Sequence, residues 1–433
     1  MFRPDLNGRP VVVLSNDGCA VARSNEAKAL GIAMGAPWFK IKHLEDEAGL
    51  VGLSANFTLY GDMSDRMMSL VAGLGHQQEI YSIDESFVNL AGIRGDLIKR
   101  SHQIRRRVLQ WTGLPTCIGI APTKTLAKLA NHIAKTVERK PGVYPDHITG
   151  HGVDGSLAQV CHLGLLAEAD RNRLFGRTEV TEVWGVGPRI GEQLKDAGVH
   201  TVLDLVNLDL ATVARRWSVV LERTVRELKG QPCIALDHEP PARQQIACTR
   251  SFGHPVTDKF ELEQAVTEFA SRAAEKLRKQ SHRAGALLTF IRTSPFRKQD
   301  EQYSASMVYP LIRPTADSTQ LVKAALANLQ RLYRPGFNYA KAGVMLMDLS
   351  PNSHEQMELG DWGIELNEAS TAIEGERARM MFAMDSLNQR YGKGTVKVAS
   401  AGMQRVTGNW QMKQARRTPR YTTCWGELAM VRG

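Results

Sequence analysis

No apolar run in the chain reaches the roughly 18 residues that a membrane-spanning helix needs. The opening residues, Met1-Phe2-Arg3-Pro4-Asp5, lack the apolar stretch of a signal peptide. A membrane or secreted class is therefore not expected, and a cytoplasmic protein is. Cysteine is sparse: Cys19, Cys117, Cys161, Cys233, Cys248 and Cys424 show no C-x-x-C spacing. That argues against a disulfide framework and a cysteine-type zinc centre, and for a reducing compartment. No H-E-x-x-H occurs among the 12 histidines, and His147 and His151 lie in a glycine-rich turn. No repeat with a period of about 20–50 residues appears, which excludes a solenoid or propeller.

Against these absences stand 433 residues, 43% of them apolar, enough for about two to four packed domains. Basic side chains number 55 and acidic ones 45, a formal charge of +10. Half of that excess sits in residues 401–433, with six Arg or Lys against one Glu. Such a balance fits a polyanionic partner, most often nucleic acid, or simply a basic enzyme.

Pro10–Leu14 reads as a buried strand, and helical periodicity follows at Asn25–Ile32 and Leu59–Leu74. Glu79–Leu90 reads as strand, tight turn and strand. Asp96–Trp111 is a basic amphipathic helix, Thr116–Ile120 a short strand, and Pro122–Thr136 a helix with proline in its first turn. From about Ser156 to Gly230 only helices are expected. Asp237–Pro241 is a linker. Beyond it the order is strand (Gln244–Phe252), helix (Glu261–Lys279), strand (Gly285–Thr293), strand (Tyr303–Tyr309), helix (Ser318–Tyr333) and strand (Lys341–Asp348), a ferredoxin-like β-α-β-β-α-β order.

Three motifs carry chemistry. Tyr81-Ser82-Ile83-Asp84-Glu85-Ser86-Phe87 puts adjacent carboxylates at the turn of an apolar hairpin. Unless the turn is simply solvated, a cation must offset them, and magnesium suits sites where phosphates react. Lys124, Lys128 and Lys135 recur at helical spacing beside an apolar stripe, either to hold phosphates or as a solvated helix face. Val183-Trp184-Gly185-Val186-Gly187-Pro188-Arg189 has the form of a helix-hairpin-helix turn. There Gly185, Gly187 and Arg189 meet a DNA phosphate without reading sequence, or else merely join two helices.

Together with Phe2–Leu6, Asn16–Cys19, Glu26–Gly31, Tyr60–Ser64, Val219–Leu228, Thr249–Gly253, Ala273–Arg278, Lys341–Leu346, Trp410–Lys413 and Thr418–Thr423, these segments resemble the Y-family DNA polymerases. The branch is that of UmuC, the bacterial DNA polymerase V catalytic subunits and their RulB-like relatives, and the likeness spans nearly the whole chain. It implies an α+β multidomain right hand: palm and fingers over 1–150, a helix-hairpin-helix thumb over 151–236, a little finger over 243–350, and a C-terminal region with a basic tail over 351–433. It further implies error-prone synthesis across damaged template bases in the SOS response, with two Mg2+ ions. Asp84 and Glu85 fall on metal-binding catalytic carboxylates, and Lys28 and Lys135 on positions that contact the dNTP triphosphate. The implied partners are damaged primer-template DNA, a cleaved UmuD-like dimer, the RecA filament and the sliding clamp.

The resemblance has gaps. Members of the family carry a strand and helix ahead of Phe2-Arg3-Pro4, with a third metal carboxylate, and this sequence starts after them. Asp5 matches a loop position and does not replace that carboxylate. Gln356-Met357-Glu358-Leu359-Gly360 resembles a clamp-binding box in which Gln356, Met357 and Leu359 are the contacts. It lacks the aromatic end that often anchors such a segment, so weak clamp binding is expected. Two other readings stay open: a catalytically impaired paralogue that only binds damaged primer-template DNA and SOS partners, and a helix-hairpin-helix glycosylase or lyase using Asp204.

Overall fold

A computed structural model describes residues 2–150, 156–237, 242–352, 368–392, 394–402 and 408–428. The chain forms two compact units that do not follow its linear order: Met1–Asp5, Asn56–Pro240 and Pro419–Gly433 in one, Leu6–Ala55 and Pro241–Thr418 in the other. The expected first block, 1–150, is thus divided between them. Among the described residues, no helix is long and apolar enough to cross a membrane.

In the second unit the chain begins with β1 (Val11–Ser15), β2 (Cys19–Arg23), the short helices α1 (Asn25–Ala29), α2 (Trp38–Ile41) and α3 (Leu44–Ala48), and β3 (Val51–Ser54). β1 is central, antiparallel to β2 and parallel to β3. Val12 and Leu14, fully buried, pack with Ala27 and Ile41. Of these elements the residue pattern foreshadows β1 and α1. The residue pattern does not show β2, α2, α3 or β3.

The first unit takes over at α4 (Phe57–Ala72), followed by β4 (Gln77–Ile80), β5 (Ser86–Asn89), α5 (Leu97–Thr112), β6 (Ile118–Ile120), α6 (Lys124–Arg139), α7 (Asp146–Thr149) and β7 (Val160–His162). Five helices complete it: α8 (Glu168–Gly176), α9 (Pro188–Asp196), α10 (Val202–Asn207), α11 (Leu210–Arg216) and α12 (Val219–Leu228). Side-chain oxygens cap α4, α5 and α6 at Asn56, Asp96 and Thr123, which satisfies amides of each first turn. Pro122 therefore precedes the cap of α6 and is not in its first turn. The helices-only expectation for 156–230 also fails, because β7 pairs in parallel with β6. Three residues are too few to display a strand period, and β7 is defined by its partner. α6 presents Leu126, Leu129 and Ile133 to a core shared with Phe175, Leu194 and Leu221.

The second unit resumes with β8 (Ile246–Val256), α13 (Lys259–Lys279), β9 (His282–Thr293), β10 (Ser304–Thr315), α14 (Ser318–Leu332), β11 (Tyr339–Pro351) and α15 (Glu368–Tyr391). The β-α-β-β-α-β order is the expected one, and the strands are longer than the pattern suggests. They form an antiparallel sheet in the order β10-β9-β11-β8. α13 and α14 cover one face through Phe269, Leu277, Leu321 and Leu329. Of the expected linker only Asp237 is described. The clamp-box residues Gln356, Met357 and Leu359 lie outside the described residues.

Candidate active site

Residues 81–85 connect β4 to β5, with Ile80 opposite Ser86. The Glu85 carbonyl closes the turn by accepting the N–H groups of Tyr81 (3.1 Å) and Ser82 (3.0 Å). The Ser82 hydroxyl donates to Asp84 Oδ1 at 2.6 Å, and Asp84 N–H donates back to Ser82 Oγ at 3.3 Å. Asp84 is exposed, and this exchange orients its carboxylate at the tip of the hairpin.

Strand alternation places Glu79, Tyr81, Glu85 and Phe87 together, and α6 meets that group. Lys128 Nζ lies 2.7 Å from Glu85 Oε2 and 4.8 Å from the Tyr81 ring centroid. Trp184 completes the enclosure, 5.5 Å from Tyr81 between ring centroids, with its Nε1 donating to the Tyr81 hydroxyl at 3.1 Å. One turn earlier, Lys124 pairs with Glu79 at 2.5 Å, both side chains nearly buried, and Glu79 also accepts Asp237 N–H at 2.8 Å. The two lysines are neither a solvated face nor, as they stand, open to phosphates. They neutralise carboxylates of the hairpin. This pairing is invisible in local spacing, because its partners are 43 and 45 residues apart.

Among the described residues no three His, Cys, Asp or Glu side chains converge on a point that could hold a metal ion. Asp84 and Glu85 fit magnesium as hard oxygen donors to an ion that fills its shell with water and substrate phosphates, not as a complete protein cage. Lys135 lies two turns beyond Lys128 on α6, half-buried. Lys28 belongs to the second unit, exposed on α1, which Ser24 caps. Thiol chemistry finds no support at Cys161, whose burial pushes its pKa up to about 12.

The helix-hairpin-helix turn forms as its residues suggest. Val183 and Val186 are buried, and Gly185 between them has φ +91°, a conformation that glycine adopts without steric cost. Gly187 caps α9 in extended conformation, Pro188 opens the helix, and Arg189 is exposed beside it. Gly187 brings no side-chain cap, so the first amides of α9 are left for an outside acceptor such as phosphate.

Asp204, by contrast, is engaged in a capping box. Its Oδ2 accepts Thr201 N–H at 2.9 Å and His200 N–H at 3.1 Å, while Thr201 Oγ accepts Asp204 N–H. These bonds, the Thr201 amide first, hold its carboxyl below the usual range. A carboxylate committed to backbone amides is a poor catalytic base, so the lyase reading falls. Asp204→Ala should weaken α10 by about 1 kcal/mol, seen as faster local hydrogen exchange, and should change no base-release activity on damaged DNA.

Comparison with known proteins matches this architecture. The chain fits the impB/mucB/samB family over residues 1–132 and that family's C-terminal domain over 243–359. A domain of unknown function matches 378–431. Protein UmuC of Salmonella typhimurium is 43% identical over 100% of this chain and 96% of its own length. Protein MucB of Escherichia coli is 40% identical over 99% of this chain and 95% of its own. Among solved structures, a Y-family DNA polymerase chimera of Dbh and Dpo4 superposes with a TM-score of 0.55 at 17% identity, covering 81% of this chain and 94% of that one. With its α+β Y-family polymerase fold and full-length likeness to these relatives, the chain belongs to the impB/mucB/samB (UmuC) family of Y-family DNA polymerases.

Proposed function

We propose that nucleotidyl transfer takes place at the Asp84–Glu85 turn. As a member of its family the chain is a DNA-directed DNA polymerase of error-prone translesion synthesis in the SOS response. The observation that carries the site assignment is the pair of adjacent carboxylates on an exposed hairpin tip, with the lysine face of α6 alongside. Asp84 and Glu85 would hold Mg2+, which when bound activates the primer 3′-hydroxyl and offsets charge on the departing pyrophosphate. Ser82 holds the Asp84 carboxylate in place. Lys128 occupies Glu85 Oε2 and leaves Oε1 as the oxygen that could take a metal. The family resemblance alone assigns Lys28 and Lys135 to the triphosphate, and Gly185, Gly187 and Arg189 would grip a DNA phosphate. In the cell we place the protein in the cytoplasm, with a cleaved UmuD-like dimer, the RecA filament and the sliding clamp as partners.

The test is primer extension across an abasic site with Mg2+, dNTPs and the accessory proteins supplied. Incorporation opposite the lesion, lost on chelation, is the expected result. DNA binding without any incorporation would overturn the proposal.

A further inference from the structure

The segment 408–417 has little regular structure, yet it is pinned to two sheet edges of the second unit. β8 is an edge strand, and its free side donates Gly253 N–H to Gln411 O at 2.9 Å and His254 N–H to Asn409 O at 3.2 Å. Contact is so close that a Cβ on Gly253 would stand 2.7 Å from the Gln411 oxygen. Trp410 anchors this end, buried edge-on against Phe269 at 6.0 Å, with the Arg250 guanidinium 5.7 Å from both rings.

The other end of the segment lies on β3, the edge strand of the N-terminal sheet. Ser54 N–H donates to Arg416 O at 3.1 Å, and Arg416 N–H donates to Ser54 Oγ at 2.9 Å. Arg416 also forks onto Glu45 and stacks over Trp38 at 5.0 Å. Between the two ends, the turn joining β1 to β2 reads the backbone of the segment. Asn16 Oδ1 accepts Lys413 N–H at 2.7 Å, while its Nδ2 donates to Phe252 O at 3.0 Å. Asp17 accepts Ala415 N–H at 2.8 Å and the Ser54 hydroxyl at 2.5 Å. Asn16 and Asp17 both have positive φ, 52° and 48°, a conformation these two residue types tolerate.

We propose that residues 408–417 are a positioning strap, which fixes the N-terminal sheet to the free edge of β8 and thereby sets where α1 holds Lys28 for the incoming nucleotide. The nucleotide half of this proposal rests on the Lys28 assignment made above. It gives a role to part of the region that, among the family models, a domain of unknown function matches. The strap uses backbone hydrogen bonds for affinity, as a strand added to an edge does. Trp410 and Arg416 fix its register.

The experiment uses the full chain with Arg416→Glu, Glu45→Arg and the charge-swapped double variant, alongside Lys28→Ala and Trp410→Ala. Hydrogen exchange at Ser54, Gly253 and His254 and the KM for dNTP are measured for each. Each single strap variant should speed exchange at the edge it leaves by about tenfold or more and raise KM severalfold with little change in kcat. The double variant should restore both. Unchanged exchange in Arg416→Glu and Trp410→Ala would overturn the strap. Faster exchange with unchanged KM, while Lys28→Ala raises KM, would overturn its role in positioning. An unchanged KM in Lys28→Ala would instead remove the Lys28 assignment, and the nucleotide role of the strap with it.

Discussion

Asp84→Asn should lower the rate of single-nucleotide incorporation by about 10³-fold or more, equivalent to about 4 kcal/mol of transition-state stabilisation. The substitution is nearly isosteric, and an amide oxygen can still accept the Ser82 hydroxyl that orients Asp84. Asp84 is exposed, so stability should not change. What disappears is one anionic donor, and a metal held by few protein ligands has little else to keep it. Glu85→Gln should fall by a similar factor. It also parts Glu85 from Lys128, but that pair is only half-buried and contributes little to stability. Single-turnover extension of a primer-template, with DNA binding followed by anisotropy over a salt series, separates the possibilities. Binding and its salt slope should be unchanged, since phosphate contacts lie on basic side chains and helix ends. Incorporation by Asp84→Asn within tenfold of the parent would remove the hairpin turn from the chemistry. If the parent itself only binds DNA, with the same salt slope, a paralogue limited to binding is the better account.

Glu227→Ala is expected to destabilise the first unit strongly. Glu227 is fully buried on α12 and meets no ammonium or guanidinium in the contacts described. It is satisfied by four donors. Oε2 accepts Thr125 N–H at 2.9 Å and the Thr125 hydroxyl at 3.0 Å, and Oε1 accepts the N–H groups of Cys233 (2.8 Å) and Ile234 (3.0 Å). The carboxylate sits at the N-terminus of α6, where the helix dipole favours a negative charge. Alanine would strand the buried N–H and hydroxyl of Thr125 at once and leave the N–H groups of the exposed Cys233 and Ile234 to water. A loss of about 3 kcal/mol follows, or a fall of about 6–12 °C in the melting of a unit this size. Glutamine keeps the shape, but its NH2 faces donors where an acceptor is needed, so an intermediate loss is expected. Because Lys124 and Lys128 ride on the same helix, primer extension should fall with stability. Thermal melting followed by circular dichroism decides the matter, and a shift below about 1 °C for Glu227→Ala would show that these bonds are replaced by water.

Much of this was legible in the residues themselves. The acidic hairpin, the Gly185–Gly187 turn, the amphipathic α6 and the β-α-β-β-α-β order all rest on signals within a few residues of each other: caps, turn glycines and periods of two or 3.6. The family resemblance is the sum of such local segments. The strand β7 and its pairing with β6 were not legible, and neither were the parallel partnership of β1 with β3, the lysine–glutamate pairs behind the hairpin, or the strap. The contacts of Lys413 and Ala415 span 397 and 398 residues. No local spacing records such a pairing, since a free N–H on one sheet edge accepts any backbone that packing delivers to it. Sequence alone determined the longer helices, the hairpin and the strands of the C-terminal sheet, and which side chains carry charge for the chemistry. Only the tertiary structure decided which carboxylate each lysine neutralises and that residues 6–55 pack with the C-terminal sheet, because both depend on burial and edge pairing between segments far apart in the chain.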